Sequence, residues 1–445
     1  MSENRSILRI AIPNILSNIS VPLLGTVDTA LMGRLSELHI GAVGIGGMIF
    51  SFMYWNFGFL RMGTTGITAR AFGAKEGQEV TATLGRAMVV AMFLALIMMI
   101  FQWPLGEAGF YLMNLEGEAK SLTAQYFYIR MWAAPATLGL YAILGWFFGM
   151  QNAIYPLILT ILINVTNMIA SYLFIMHWGM EIDGVAWGTV IAQYVGFLTG
   201  LFLLFYKYPD YLRLLKIKML LEITSLTSFF QINRDLFFRT LALTLAFGFF
   251  YSRSAAEGEL LLAVNVILLQ YLNWMSYGID GFAYAAESLV GKYSGARKLG
   301  QLEQIIQLSF LWGGALAIFF SIVYFVFGNQ LLAIFTNQAS VIAAAQPYLW
   351  WMIFFPLVSF ACYIWDGIFI GLTASAAMRN AMVVSLIFYL GMHYGFSFWW
   401  GVNGMWAAFL GFMMLRAVFL WRSFLKMSSE QLLKLKTPNG DNVRS

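Results

Sequence analysis

Hydrophobic residues recur in twelve long runs, each near or above the roughly 20 residues needed to cross a bilayer as an α-helix. The spans lie at about 7–34, 41–69, 84–111, 121–148, 153–178, 184–206, 225–252, 258–290, 302–328, 340–371, 378–400 and 402–424. The runs at 41–69 and 258–290 exceed one membrane thickness, which predicts tilt or extension beyond it. Polar residues fall between the runs with alternating sign. Arg5 and Arg9, then Arg70, Lys75 and Arg86, then Lys207, Arg213, Lys216 and Lys218, then Lys292, Arg297 and Lys298, then Arg379, and finally Lys426, Lys434 and Lys436 occupy one set of loops and ends. Glu107, Glu116 and Glu118, then Glu181 and Asp183, then Glu257 and Glu259 occupy the other. By the positive-inside rule both termini are expected in the cytoplasm.

The pattern repeats. "ITARAFGAKEGQ" resembles "ESLVGKYSGARKLGQ", and Ala74 and Ala296 are 222 residues apart (296 − 74). Pro135 in "WAAPATLGLYAILGWFFGM" and Pro356 in "FFPLVSFACYIWDGIFIGL" are 221 apart (356 − 135), and Gly184 and Gly401 are 217 apart (401 − 184). Six helices per repeat give two parallel halves, the organisation of secondary carriers that open alternately on either side of a central cleft. The expected fold is therefore an all-α polytopic membrane protein of twelve transmembrane helices in two pseudo-symmetric six-helix lobes. The N-lobe is expected at 1–206, a basic cytoplasmic linker at 207–224, the C-lobe at 225–427 and a cytoplasmic tail at 428–445.

Composition agrees with a membrane chain: of 445 residues 60% are hydrophobic and 11% charged. The net charge of +5 is accounted for by the basic loops, with no aromatic-interleaved patch for nucleic acid. One cysteine, Cys362, excludes an internal disulfide framework. The first twenty residues contain no short apolar stretch ending in a small-residue cleavage site, so no cleaved leader is expected. "GKYSG" at 291–295 has Tyr293 where a phosphate loop requires Ser or Thr. His39, His177 and His393 are solitary, which argues against a metal site or an intramembrane hydrolase. An ion-coupled carrier, not an enzyme, is left.

Ionisable residues inside spans then carry the functional argument, since such residues are costly and face a bundle interior or a partner. Asp28 stands alone in "VPLLGTVDTALMGRL". Desolvation there favours proton uptake near neutral pH. Asp28 reads either as a proton switch or as a structural hydrogen-bond acceptor. Pro13 and Pro22 bracket the approach to it and are expected to bend span one, by coupling or by static packing. In the second half, Asp235 and Arg239 stand i,i+4 and are able to pair directly, and Asp280 and Glu287 share a helix face two turns apart. These read equally as a buried salt-bridge network or as coupling groups. Asp366 has no basic residue on its own helix, which makes it the secondary ion-site candidate. Arg61, Arg130 and Arg234 also lie within spans.

With these residues in view, the chain resembles the MATE (multidrug and toxic compound extrusion) transporters, in particular their DinF-like branch. The similarity rests on "IPNILSNISVPLLGTVDTALMGRL", "GVAWGT", "NRDLFFRTLAL", "AVNVILLQYL", "IDGFAYAAESLVGKYSGAR" and "YIWDGIFIGLTASAAMRNAM", and runs from about 7 to 424. The resemblance implies a twelve-helix exporter driven by H⁺ or Na⁺ entry. It implies that Asp28 is the cation-coupling aspartate of helix one and Pro13 the proline where that helix bends. Asn167 and Thr189 match an asparagine and a threonine of the same site, and Asp366 matches an aspartate used for Na⁺ in another branch. Ser171 stands where relatives carry a second carboxylate, and "FFRTLAL" stands where the Na⁺-coupled branch has a glutamate. Both departures favour H⁺ over Na⁺.

The resulting expectation is an H⁺-coupled antiporter of the inner membrane, acting as a monomer without a cofactor. It exports small amphipathic, cationic organic compounds by alternating access. Protonation of Asp28 would alter its bonding to Asn167 and Thr189, shift helix one and release cargo. The alternatives are Na⁺-coupled export and a flippase of related architecture for a lipid-linked precursor, to which Arg61, Arg130 and Arg239 lend support. A major-facilitator carrier is disfavoured because "ARAFGAKEGQEVTATLGRA" lacks that family's Asp-Arg-x-Gly-Arg pattern.

Overall fold

A computed structural model describes residues 3–32, 36–220, 222–427 and 432, and within these not the side chains of 21–32, 37 and 217. Among the described residues every regular element is helical, as the apolar runs require. Helices α1 (Glu3–Met32), α2 (Glu37–Phe57), α3 (Phe59–Gly73), α4 (Gly77–Ile100), α5 (Gln102–Leu112) and α6 (Gly117–Met131) come first. Then follow α7 (Ala134–Gly149), α8 (Ile154–Met176), α9 (Ile182–Lys207) and the short α10 (Pro209–Leu212) and α11 (Ile217–Leu220). The second half holds α12 (Ile223–Ala256), α13 (Glu259–Gly295), α14 (Leu299–Phe335), α15 (Ala339–Ala345), α16 (Leu349–Gly371), α17 (Ser375–Trp400) and α18 (Val402–Leu425).

Among the described residues nine helical stretches are long and apolar enough to cross a membrane, and the bent pair α6–α7, taken as one span, makes a tenth. With α1 and α12, which are 30 and 34 residues long, the described residues hold twelve rods of spanning length. Some spans read as single helices are broken. Gly58 divides α2 from α3, Phe101 divides α4 from α5, and α6 meets α7 at 52°. Pro135, at the second position of α7, explains the last break: it has no N–H to give the preceding turn, and at a helix start none is missed.

The repeat is written in the backbone. Lys75 and Arg297 (φ 60° and 55°) and Gln151 and Thr373 (φ 63° and 55°) are left-handed residues, each pair 222 apart (297 − 75, 373 − 151). Each ends its helix with the same hydrogen bonds, for example Glu76 N to Ala71 O at 2.9 Å and Lys298 N to Tyr293 O at 3.0 Å. Gly145 on α7 and Gly367 on α16, again 222 apart, let two backbones touch. A Cβ at Gly145 would lie 2.5 Å from the Arg61 carbonyl oxygen of α3, and one at Gly367 would collide with the Ala283 carbonyl oxygen of α13.

The chain forms two compact units, one of residues 16–227 and one of 228–445 together with 1–15. In the N-terminal unit the core gathers Leu84, Ile143, Trp146, Phe147 and Leu159, and the Trp146 indole donates to Val80 O (2.9 Å). The segment after α9 docks on this core. Tyr208 and Tyr211 pack on Trp146, Thr81 Oγ1 donates to Tyr211 O (2.8 Å), and buried Arg86 donates to Glu79 (2.6 Å) and Met219 O (2.8 Å). In the C-terminal unit, Trp406 donates to Asn265 (3.0 Å), which donates to Ser254 (2.9 Å).

Candidate functional site

In the N-terminal unit, α8 and α9 place a polar pair inside an apolar bundle. The Asn167 amide donates to Thr189 Oγ1 (3.0 Å), which in turn donates to the Val185 carbonyl (3.1 Å). Both side chains are buried. Ser171, one turn beyond Asn167, is fully buried against Gly188, and its hydroxyl has no hydrogen-bond partner among the described residues. Helix α1 is tied to α8 just before this level. Ser17 Oγ donates to Thr160 (2.9 Å), and the Asn164 amide donates to Ser20 O and Oγ (both 3.1 Å).

Asp28 and Pro22 lie within α1, but their side chains are outside the described residues. Pro13 sits inside the same helix, and the boundary between the two units follows it by two residues. The helix runs on through Pro13, and one residue further the Asn14 side chain donates to the Ile10 carbonyl of the preceding turn (2.9 Å).

The C-terminal unit pairs its charges differently from the expectation read off one helix. Asp235 and Arg239 do not bond each other. Asp235 is held by Arg379 of α17 (2.5 Å), by Ser375 (3.3 Å) and by neighbouring Arg234 (3.4 Å). Arg239 instead reaches Asp366 on α16, whose same oxygen, Oδ2, also accepts from Arg416 of α18 (2.7 Å). The i,i+4 pair gives way because each side chain finds a partner of opposite charge on another helix. Asp366 thus lacks a cation on its own helix but has two from elsewhere. The group carries one negative and two positive charges. A carboxylate engaged this way is an ion-pair acceptor with little to offer a metal cation. Asp280 is half-buried on α13, in electrostatic range of Cys362 and Tyr363, and Glu287 is buried two turns further on.

Arg416 is the residue that the sequence reading passed over. Its signal was plain: a lone guanidinium in "GFMMLRAVFLW", where only a buried acid makes it tolerable. It also lies over the Phe412 and Tyr363 rings, at 5.6 and 5.9 Å. Arg61 stacks on Phe148 (5.8 Å). Arg130 stacks over Phe50 (4.8 Å) and Tyr126 (5.5 Å).

Comparison with known proteins agrees with this architecture. The MatE family model matches twice, over residues 13–173 and 236–399, once in each half of the repeat. The chain is 34% identical to DNA damage-inducible protein F of Escherichia coli (strain K12) over 435 residues, covering 95% of this chain and 92% of that one. Among solved structures, an outward-facing multidrug resistance MATE family transporter of the MOP superfamily superposes with a TM-score of 0.88 at 20% identity, covering 96% of this chain and 98% of that one. A MATE protein in its bent conformation gives 0.87, also at 20% identity, over 97% and 96%.

Proposed function

The chain belongs to the MATE family of multi-pass membrane transporters and is not an enzyme, and from that premise we propose an H⁺-coupled antiporter of the inner membrane that exports amphipathic, cationic organic compounds. The observation that carries this reading is the buried Asn167–Thr189 pair on the flank of α8 that continues toward the end of α1. The bonded pairs Ser17–Thr160 and Ser20–Asn164 have offsets of 143 and 144 residues (160 − 17, 164 − 20). Carried along to residue 28, these offsets set position 28 of α1 level with positions 171 and 172 of α8 (28 + 143, 28 + 144). A carboxylic acid at that level changes from acceptor to donor when it takes a proton. The neighbouring amide and hydroxyl must then change partners, and the α1 segment beyond Ser20 shifts and lets cargo leave.

Two features favour a proton over sodium. Ser171 adds no second charge beside position 28, and a Na⁺ site built from oxygen ligands is poorer for it. In the other unit, Asp366 is committed to two guanidiniums. Labelled-cargo uptake into inverted vesicles, with pH and Na⁺ gradients imposed separately, tests the reading. The pH gradient alone is expected to drive uptake, and Asp28→Asn to abolish it. Uptake driven only by Na⁺, or intact in Asp28→Asn, would overturn it.

A further inference from the structure

We propose that the N-terminal unit recognises an oxyanion, the carboxylate, sulfonate or phosphate head of an amphiphile, at Arg130. Only the ligand's role as cargo rests on the export reading; the site itself does not depend on proton coupling. Arg130 lies ten residues along α6 from Lys120, about 15 Å of helix rise, and Lys120 makes an exposed pair with Glu107 (2.8 Å). A guanidinium stays ionised under all ordinary conditions, and at membrane depth it requires a counter-charge. None is supplied: among the described residues no carboxylate lies within ion-pair distance of Arg130, and its single hydrogen bond runs from Nη1 to the neutral Tyr126 hydroxyl (2.6 Å). The most deeply buried guanidiniums differ in this respect: Arg239 and Arg416 share Asp366, and Arg86 has Glu79.

The surroundings fix the guanidinium without neutralising it. Phe50 and Tyr126, both buried, offer their ring faces, and Gly47 of α2 lies beside Nη1. The Tyr54 hydroxyl, buried beside Thr137 and in electrostatic range of Arg130, makes no hydrogen bond of normal geometry among the described residues. Arg130 itself is only half-buried, so its remaining N–H groups can be reached. A planar fork held between aromatic rings, with donors left over and a spare tyrosine hydroxyl nearby, is suited to two-point recognition of an oxyanion. The depth selects a ligand with an apolar body. Cargo that also satisfies a cation site would be zwitterionic.

The test is equilibrium binding to the full-length protein in nanodiscs, with anilinonaphthalene sulfonate as the anionic probe and ethidium as the cationic one. In phosphatidylcholine discs, Arg130→Gln should weaken sulfonate binding about 10- to 100-fold, the worth of one charge-assisted contact, and leave ethidium within twofold. Arg130→Lys, which keeps the charge but loses the fork, should fall between and keeps the proposal open to refutation should the Gln variant not fold. Phosphatidylglycerol discs identify the source of the head. Competition with the sulfonate in wild type but not in Arg130→Gln assigns the site to a lipid head, and no competition assigns it to cargo; either supports an oxyanion site. Unchanged sulfonate binding in Arg130→Gln and Arg130→Lys, or equal loss of both probes, would overturn it. Because no gradient is applied, failure here leaves the proton-coupling reading standing, and the converse.

Discussion

Removing the Asp366 carboxylate is the sharpest structural perturbation available in the C-terminal unit. Asp366→Ala leaves the Nη2 groups of Arg239 and Arg416 without their shared acceptor, and the Nε atoms of both are already buried without a hydrogen-bond partner among the described residues. The cluster goes from a net charge of +1 to +2 in a site where each side chain is at most a tenth exposed. Breaking a buried ion pair by deleting one partner costs about 3–5 kcal/mol. At roughly 2–4 °C per kcal/mol for a unit of this size, the melting temperature should fall by on the order of 10 °C. Cys362, the chain's single cysteine, lies one helical turn from Asp366 and is fully buried. A thiol-reactive fluorogenic dye therefore reports the opening of α16 directly during a thermal ramp. Replacing Arg239, Asp366 and Arg416 together by Met should recover most of the loss, because no uncompensated charge remains. A melting temperature within 1 °C of wild type for Asp366→Ala would refute the reasoning, as would a loss of Na⁺-dependent transport without loss of stability.

Asp235→Ala should be milder, about 1 kcal/mol in the same assay, because its partner Arg379 is 29% exposed and rehydrates. Gly145→Ala and Gly367→Ala should each destabilise by roughly 1–3 kcal/mol, since the new methyl meets a backbone carbonyl that cannot move aside; equal melting curves would show that the helices can separate freely. Arg86→Met removes the bonds to Glu79 and Met219 O, so limited trypsin digestion at exposed Lys216 and Lys218 should accelerate severalfold. Ser171→Ala should change stability by less than about 0.5 kcal/mol and leave the pH dependence of transport unaltered, because among the described residues the hydroxyl has no hydrogen bond to lose.

The helices and the repeat were legible because both follow from local pattern: apolar runs set the rods, and landmarks about 220 residues apart set the duplication. Breaks within rods were harder. The run at 121–148 reads as one span although Pro135 marks the 52° bend, and the over-length of 41–69 hinted at the break at Gly58 without locating it. Charge pairing was the least legible feature. Spacing on one helix proposes Asp235 with Arg239, whereas each finds its partner on a helix well over a hundred residues away in sequence. The same limit hid Arg416 behind Asp366. It also hid the docking of the 207–220 segment, which depends on Thr81 and Arg86 of α4. On the N-terminal side, Asn167 and Thr189 were named from resemblance, and the structure bonds them to each other.

The central claim is that one carboxylate, Asp28, exchanges a proton for cargo. It is tested most directly by following proton release with a pH indicator when cargo is added to purified protein in weakly buffered detergent. Wild type should release protons on binding, up to one per cargo molecule, while Asp28→Asn releases none and Ser171→Ala behaves as wild type. Undiminished release from Asp28→Asn would contradict the account.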